Sequence, residues 1–162
     1  MNGITARYVA VCGPGTATPE VAAQADEVGR LLARAGAVLV CGGMGGAMDA
    51  AARGAAAEGG TVVGILPDAT RAGACEHLTV AIPTGLGDLR NGLVVRAADA
   101  LIAVGGEFGT LSEIALARKA GVPVVRLGTW QLARAGRIVA DGIVRARTPA
   151  EAVDAALHLA GT

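Results

Sequence analysis

Lysine is almost absent from this chain. Lys119 is the single one, and Ala120-Gly121 follow it, so no P-loop with its Gly-Lys-Ser/Thr step can be written. A pyridoxal Schiff base is left with one poor candidate. Aromatic residues are equally scarce: one Phe, one Trp and one Tyr in 162 residues make no stacking platform. Acidic and basic residues balance at 14 each, without a basic run, so nucleic acid is not an expected partner. No apolar run reaches about 18 residues, so no membrane span is expected. The N-terminus lacks the charged-then-apolar layout of a signal peptide. Cys12, Cys41 and Cys75 are odd in number and widely spaced, which reads as reduced thiols of a cytoplasmic protein. His77 and His158 stand far apart, with no ligand spacing to a cysteine, so no metal site is expected. No serine occupies a nucleophile elbow.

Glycine and small apolar residues are what the chain does contain. Apolar residues make up 52% and glycines number 25, a composition suited to helices packed closely on a parallel sheet. Short apolar runs at 7–12, 37–41, 61–66, 77–82, 100–104 and 122–127 read as strands. Between them lie helical patterns. Thr18 caps the first, with Pro19 behind it, and Gly36 stops it. A second helix spans 47–58, a third 88–98, and a fourth follows the turn at 105–109. A weak strand or two is expected between 138 and 146. Thr148-Pro149-Ala150-Glu151 opens a last helix as a capping box. Without linker, repeat or low-complexity tail, residues 1–162 read as one α/β domain. Its expected form is Rossmann-like and three-layered, with a mostly parallel sheet of six or seven strands.

Three glycine-rich turns each follow a strand: Gly13-Pro14-Gly15-Thr16, Gly42-Gly43-Met44-Gly45-Gly46 and Gly105-Gly106-Glu107-Phe108-Gly109. In such sheets ligands gather at the carboxyl ends of the strands. Free N–H groups at a helix start form an anion site there. Thr110 and Glu113 are expected within the first helical turn, facing that site. The same Thr110-x-x-Glu113 spacing is also that of a capping box, so it reads equally well as structural. The 88–98 helix leaves the edge over about 16 Å, and the next strand returns over about 17 Å. Arg90 and Glu113 should therefore meet at the ligand-bearing edge. A dinucleotide fingerprint fails here: the first turn lacks its third glycine, and Cys41-Gly42-Gly43 stand where a ribose-binding acid is required.

With these turns in place, the chain resembles the LOG (Lonely Guy) family, the SLOG-type Rossmann proteins formerly described as lysine decarboxylase-like. Gly42-Gly43-Met44-Gly45-Gly46-Ala47-Met48, running on to Gly64-Ile65-Leu66-Pro67, is similar to that family's first glycine block. Arg90, Ala98-Asp99-Ala100 and Gly106-x-x-Gly109-Thr110-x-x-Glu113 are similar to its second. LOG enzymes hydrolyse cytokinin nucleoside 5′-monophosphates to free base and ribose 5-phosphate. The resemblance implies Arg90 and Glu113 as the catalytic pair. It implies phosphate or nucleotide binding by Gly45, Gly46, Gly106, Gly109 and Thr110. Gly13, Gly15, Thr16, Gly43, Met44, Asn91 and Gly105 join them on the same three turns and beside Arg90.

Three positions depart from the LOG pattern: Asn91 after Arg90, Gly105 in place of proline, and Glu107 in place of a glycine. In these the chain is similar to the short branch that includes molybdenum cofactor carrier proteins. Two readings follow, a nucleoside 5′-monophosphate phosphoribohydrolase and a non-hydrolytic carrier or nucleotide sensor. No cofactor is required for hydrolysis. A bound nucleotide or molybdenum cofactor is the ligand expected. At a helix N-terminus Glu113 should stay ionised and act as base, nucleophile or charge stabiliser, while Arg90 supplies charge. Asp88 reads as the N-cap of its helix. Cys12 and Cys41, at the ends of neighbouring strands, read as small buried thiols. By resemblance the chain should assemble as a homodimer or homotetramer.

Overall fold

The computed structural model describes residues 6–138 and 142–161. Its core is a seven-stranded sheet, parallel throughout. The strands are β1 (Tyr8–Cys12), β2 (Val38–Cys41), β3 (Val62–Leu66), β4 (Val80–Pro83), β5 (Ala100–Val104), β6 (Val124–Leu127) and β9 (Ile143–Ala146). Their spatial order is β4-β3-β2-β1-β5-β6-β9. The chain therefore moves outward from β1 in one direction, then returns and continues from β5 in the other. This reversal between β1 and β5 is the switch point, where a crevice opens at the carboxyl ends.

Both faces of the sheet are covered. On β1, Val9 and Val11 face one helical layer while Ala10 and Cys12 face the other, the alternation a strand imposes. The first layer holds α1 (Pro19–Arg34), α2 (Ala47–Ala57) and α5 (Pro149–Leu159). The second holds α3 (Asn91–Arg96) and α4 (Phe108–Ala120). Small residues set the spacing within the first layer. A Cβ on Gly29 of α1 would lie 2.0 Å from the Ala51 carbonyl oxygen, and one on Gly54 of α2 would lie 2.0 Å from that of Asp26. The helices touch backbone to backbone there, which explains the alanine-rich composition.

Thr18 caps α1 as expected, accepting a hydrogen bond from the Val21 N–H at 3.3 Å, with Pro19 at the first position. Thr148 caps α5 in the same way, accepting from the Glu151 N–H at 3.2 Å. The Glu151 carboxylate accepts from the Arg147 N–H at 2.8 Å, one residue before the cap itself.

Two local expectations are corrected, and a third is extended. The helix expected over 88–98 is a 3-10 turn, Gly87–Arg90, followed by α3, so Asp88 lies inside the turn and caps nothing. The helix after the third turn begins at Phe108, capped by Glu107 without a side-chain bond. Thr110 is therefore its third residue and Glu113 its sixth, which removes the capping-box reading. Near the C-terminal end, a short antiparallel hairpin, β7 (Ala133–Arg134) with β8 (Arg137–Ile138), precedes β9. The part of that expected strand at 139–141 lies outside the described residues.

Candidate functional site

A cavity of about 150 Å³ opens at the switch point. The loop after β1 brings Gly13 and Gly15 to it, α2 brings Met48, and the 3-10 turn with the start of α3 brings Asp88, Arg90 and Asn91. The first two turns of α4 supply Gly109, Thr110 and Glu113. The two distant segments carrying Arg90 and Glu113 thus converge.

Burial marks this place more sharply than its size does. Among the described residues the buried polar or charged side chains are Arg90, Asn91, Thr110 and Glu113, and all four line this one cavity. Buried polar groups are costly unless bonded. Part of that requirement is met internally. An Arg90 terminal nitrogen donates to the Asn91 side-chain oxygen. Its other terminal nitrogen reaches the Gly42 carbonyl at 3.5 Å. Asn91 in turn donates to Ser112 Oγ at 3.0 Å, and Ser112 donates to the Gly109 carbonyl at 2.7 Å. Two atoms remain buried without a partner, Arg90 Nε and Thr110 Oγ1. A donor and a hydroxyl without partners, on two residues that line one cavity, are what an anionic ligand group would satisfy.

Glycine gives this cavity its open floor. A Cβ on Gly15 or Gly109 would meet nothing within 4 Å, so both backbones face free space. Gly42 serves differently. A Cβ there would sit 2.6 Å from Arg90 Nη2 and 2.7 Å from Met48 Sδ, so its bareness makes room for the guanidinium. Sequence reasoning left Gly42 out of the site. Its position immediately after β2 was the available signal. Met48 was also missed, since a methionine near a helix start carries no chemical signature.

The remaining candidates are not on the cavity wall. Gly46 interlocks the loops: it has φ +68°, and a Cβ would lie 2.2 Å from the Pro14 carbonyl oxygen. Gly43 packs against Leu66, Gly64 and Leu78, and Met44 lies by Gly73. Gly45 faces the Gly15 carbonyl, Gly105 packs on Val21, and Gly106 abuts Thr129 and Thr110. Thr16 is exposed. Within the second glycine turn, Gly45 and Gly46 thus pack on the first turn, while Gly42 seats the Arg90 guanidinium.

Electrostatics overturn one further expectation. Burial pushes the Glu113 carboxyl up to about 7, offset in part by the Arg90 guanidinium and a hydrogen bond from the Cys12 thiol. Glu113 is six residues into α4, beyond the turn where the helix dipole acts strongly. Desolvation therefore dominates, and near neutral pH Glu113 is able to hold or release a proton. Burial and the adjacent Glu113 raise the Cys12 thiol well above its ordinary value. Burial likewise pushes Cys41 up to about 12, so both thiols are protonated packing groups. The departure at Glu107 does not reach the cavity. Its side chain is exposed, and its carbonyl accepts from Trp130 Nε1 at 3.1 Å.

Fold and cavity together define a Rossmann-like α/β protein with a polar, partly unsatisfied pocket at its topological switch point. The model of the SLOG cluster4 family matches residues 6–153, and the chain belongs to that family. An uncharacterized protein of Archaeoglobus fulgidus is 41% identical over 147 residues, covering 90% of this chain and 91% of that protein. Among solved structures, the molybdenum cofactor binding protein of Rippkaea orientalis is 33% identical with a TM-score of 0.89. That match covers 97% of this chain and 99% of its own. The molybdenum cofactor carrier protein of Chlamydomonas reinhardtii is 32% identical with a TM-score of 0.86, again over 97% and 99%.

Proposed function

We propose that this protein binds a small phosphorylated ligand of the pterin-cofactor type and carries it without hydrolysing it. The observation that carries the reading is the convergence of all four buried polar side chains on one cavity, with Arg90 Nε and Thr110 Oγ1 unpaired. Similarity to the molybdenum cofactor proteins of Rippkaea orientalis and Chlamydomonas reinhardtii supports it. Among the described residues no group of three or more His, Cys, Asp or Glu could hold a metal ion. Recognition would therefore fall on the organic and phosphate portions of the cofactor. Arg90 and Thr110 would hold an anionic oxygen, with Gly13, Gly15 and Gly109 lining the approach. A cavity of about 150 Å³ takes one end of such a ligand and leaves the rest outside. Residues 1–162 act as one binding domain in this reading, in the cytoplasm.

One observation favours a second reading. A buried carboxyl poised at about 7 beside a guanidinium suits acid-base work on a nucleoside 5′-monophosphate. Arg90 would hold the phosphate, and Glu113 would stand near the sugar whose N-glycosidic bond is cleaved. Incubation of the purified protein with AMP and related monophosphates, followed by product analysis, separates the two. The carrier reading expects no free base or ribose 5-phosphate. Release by wild type and not by Glu113→Ala would establish the hydrolase.

A homo-oligomer completes the proposal. Leu89 (80% exposed), Leu93 (43%) and Leu116 (39%) lie on the 3-10 turn, α3 and α4, with Phe108 (78%) at the start of α4. These are apolar side chains whose burial against a second copy of the chain would be favourable.

A further inference from the structure

A larger cavity, about 330 Å³, lies further along the same sheet edge, at the carboxyl ends of β6 and β9. This volume falls within the usual range for ligand pockets, roughly 300–1,000 Å³. Arg126, Arg145 and Arg147 line it, with Gln24 from α1 and Thr129 and Gln131 from the loop after β6, and among the described residues no acidic one does. Arg126 and Arg145 are register partners on adjacent parallel strands. They therefore leave the sheet on the same face. Like charges so paired destabilise a sheet.

Among the described residues none of the three arginines forms an ion pair. The Glu151 carboxylate accepts from the backbone N–H of Arg147 through one oxygen and does not line the cavity. Thr129 adds an independent sign, because its Oγ1 is buried without a partner. That hydroxyl also abuts the third glycine turn, where a Cβ on Gly106 would lie 2.7 Å from it.

We propose that this cavity is a second anion-binding site, taking a phosphate or phosphoanhydride group through Arg126, Arg145 and Arg147, with Thr129 contributing its hydroxyl. A bound oxyanion removes the repulsion between the paired arginines and satisfies the orphan hydroxyl at once. The site stands on its own residues and does not depend on the reading of the Arg90 cavity. Its anion has two possible sources, a free phosphoanhydride or the distal phosphate of a ligand whose other end lies in the Arg90 cavity.

Calorimetric titration of the full chain with inorganic pyrophosphate tests it, using wild type, the Arg145→Gln/Arg147→Gln pair, and Arg90→Gln. Wild type should bind, less tightly as salt is raised. The double variant should weaken this site by about tenfold per guanidinium removed, the scale of a charge-assisted hydrogen bond. Arg90→Gln should remove any pyrophosphate held in the smaller cavity and keep the component that the double variant loses. Without ligand, the double variant should melt at or above the wild-type temperature, since repulsion is relieved. Pyrophosphate affinity unchanged in the double variant, or lost only in Arg90→Gln, overturns the site. So does a ligand-free double variant that melts below wild type, which would make the arginines structural props. Repeating the titration on AMP-saturated protein separates the sources. Undiminished pyrophosphate binding supports the site with a free anion, and competition supports it with one spanning ligand.

Discussion

Removing the charge from Glu113 should change how stability depends on pH. The carboxyl is 5% exposed, and burial lifts it from 4.5 to about 7. A raised carboxyl binds its proton more tightly in the folded chain than in the unfolded one. Between these two values the folded state carries the extra proton, so stability falls as pH rises through the window. From about pH 5.5 to about pH 8, the two titration midpoints give a loss of about 2 kcal/mol in wild type. Glu113→Gln keeps the shape and cannot titrate. Because Gln is neutral at both pH values, whatever the substitution costs in the variant is the same at each. Urea unfolding at both pH values measures each difference. The wild-type loss should exceed that of Glu113→Gln by about 2 kcal/mol. Parallel behaviour of the two proteins would refute the claim that desolvation governs this carboxyl, and would restore the ionised, dipole-stabilised Glu113.

Other perturbations address the site and its frame. Gly42→Ala places a Cβ 2.6 Å from Arg90 Nη2; this is the movable end of a side chain, so the fold should persist while ligand affinity falls about tenfold, read by calorimetry. Gly29→Ala meets the Ala51 backbone at 2.0 Å, which cannot yield as easily, and should cost about 2 kcal/mol or more in urea unfolding. Leu93→Asp together with Leu116→Asp should shift the protein to monomer in sedimentation velocity, and an unchanged assembly would remove that face as the contact. Alkylation should modify the half-buried Cys75 well before Cys12 or Cys41, whose thiols are buried and held protonated; equal rates would contradict their placement.

Much of the architecture was legible because it rests on local patterns. Thr18-Pro19 and Thr148-Pro149 carry cap and first-turn signals that tertiary contacts did not override. The apolar runs of β1 and β5 are unbroken because both faces are covered, and this marks them as inner parallel strands. The order of helical and strand segments between them places Arg90 and Glu113 on one sheet edge, although the first segment is a 3-10 turn and a short helix and not the single helix expected. What local pattern could not supply was depth. The spacing of Thr110 and Glu113 is the same for an exposed cap as for two side chains turned into a cavity. The start of α4 at Phe108 decides between them. The second glycine turn hides its packing for a related reason. Gly46 is bare because the Pro14-Gly15 backbone passes close by, which only the folded chain displays.

The most direct test of the central claim is a calorimetric titration with molybdenum cofactor, run on wild type and Arg90→Gln in parallel. Saturable binding at one cofactor per chain, weakened at least about tenfold in Arg90→Gln, is the result this account predicts. Equal affinity in both proteins, or no binding by wild type, would contradict it.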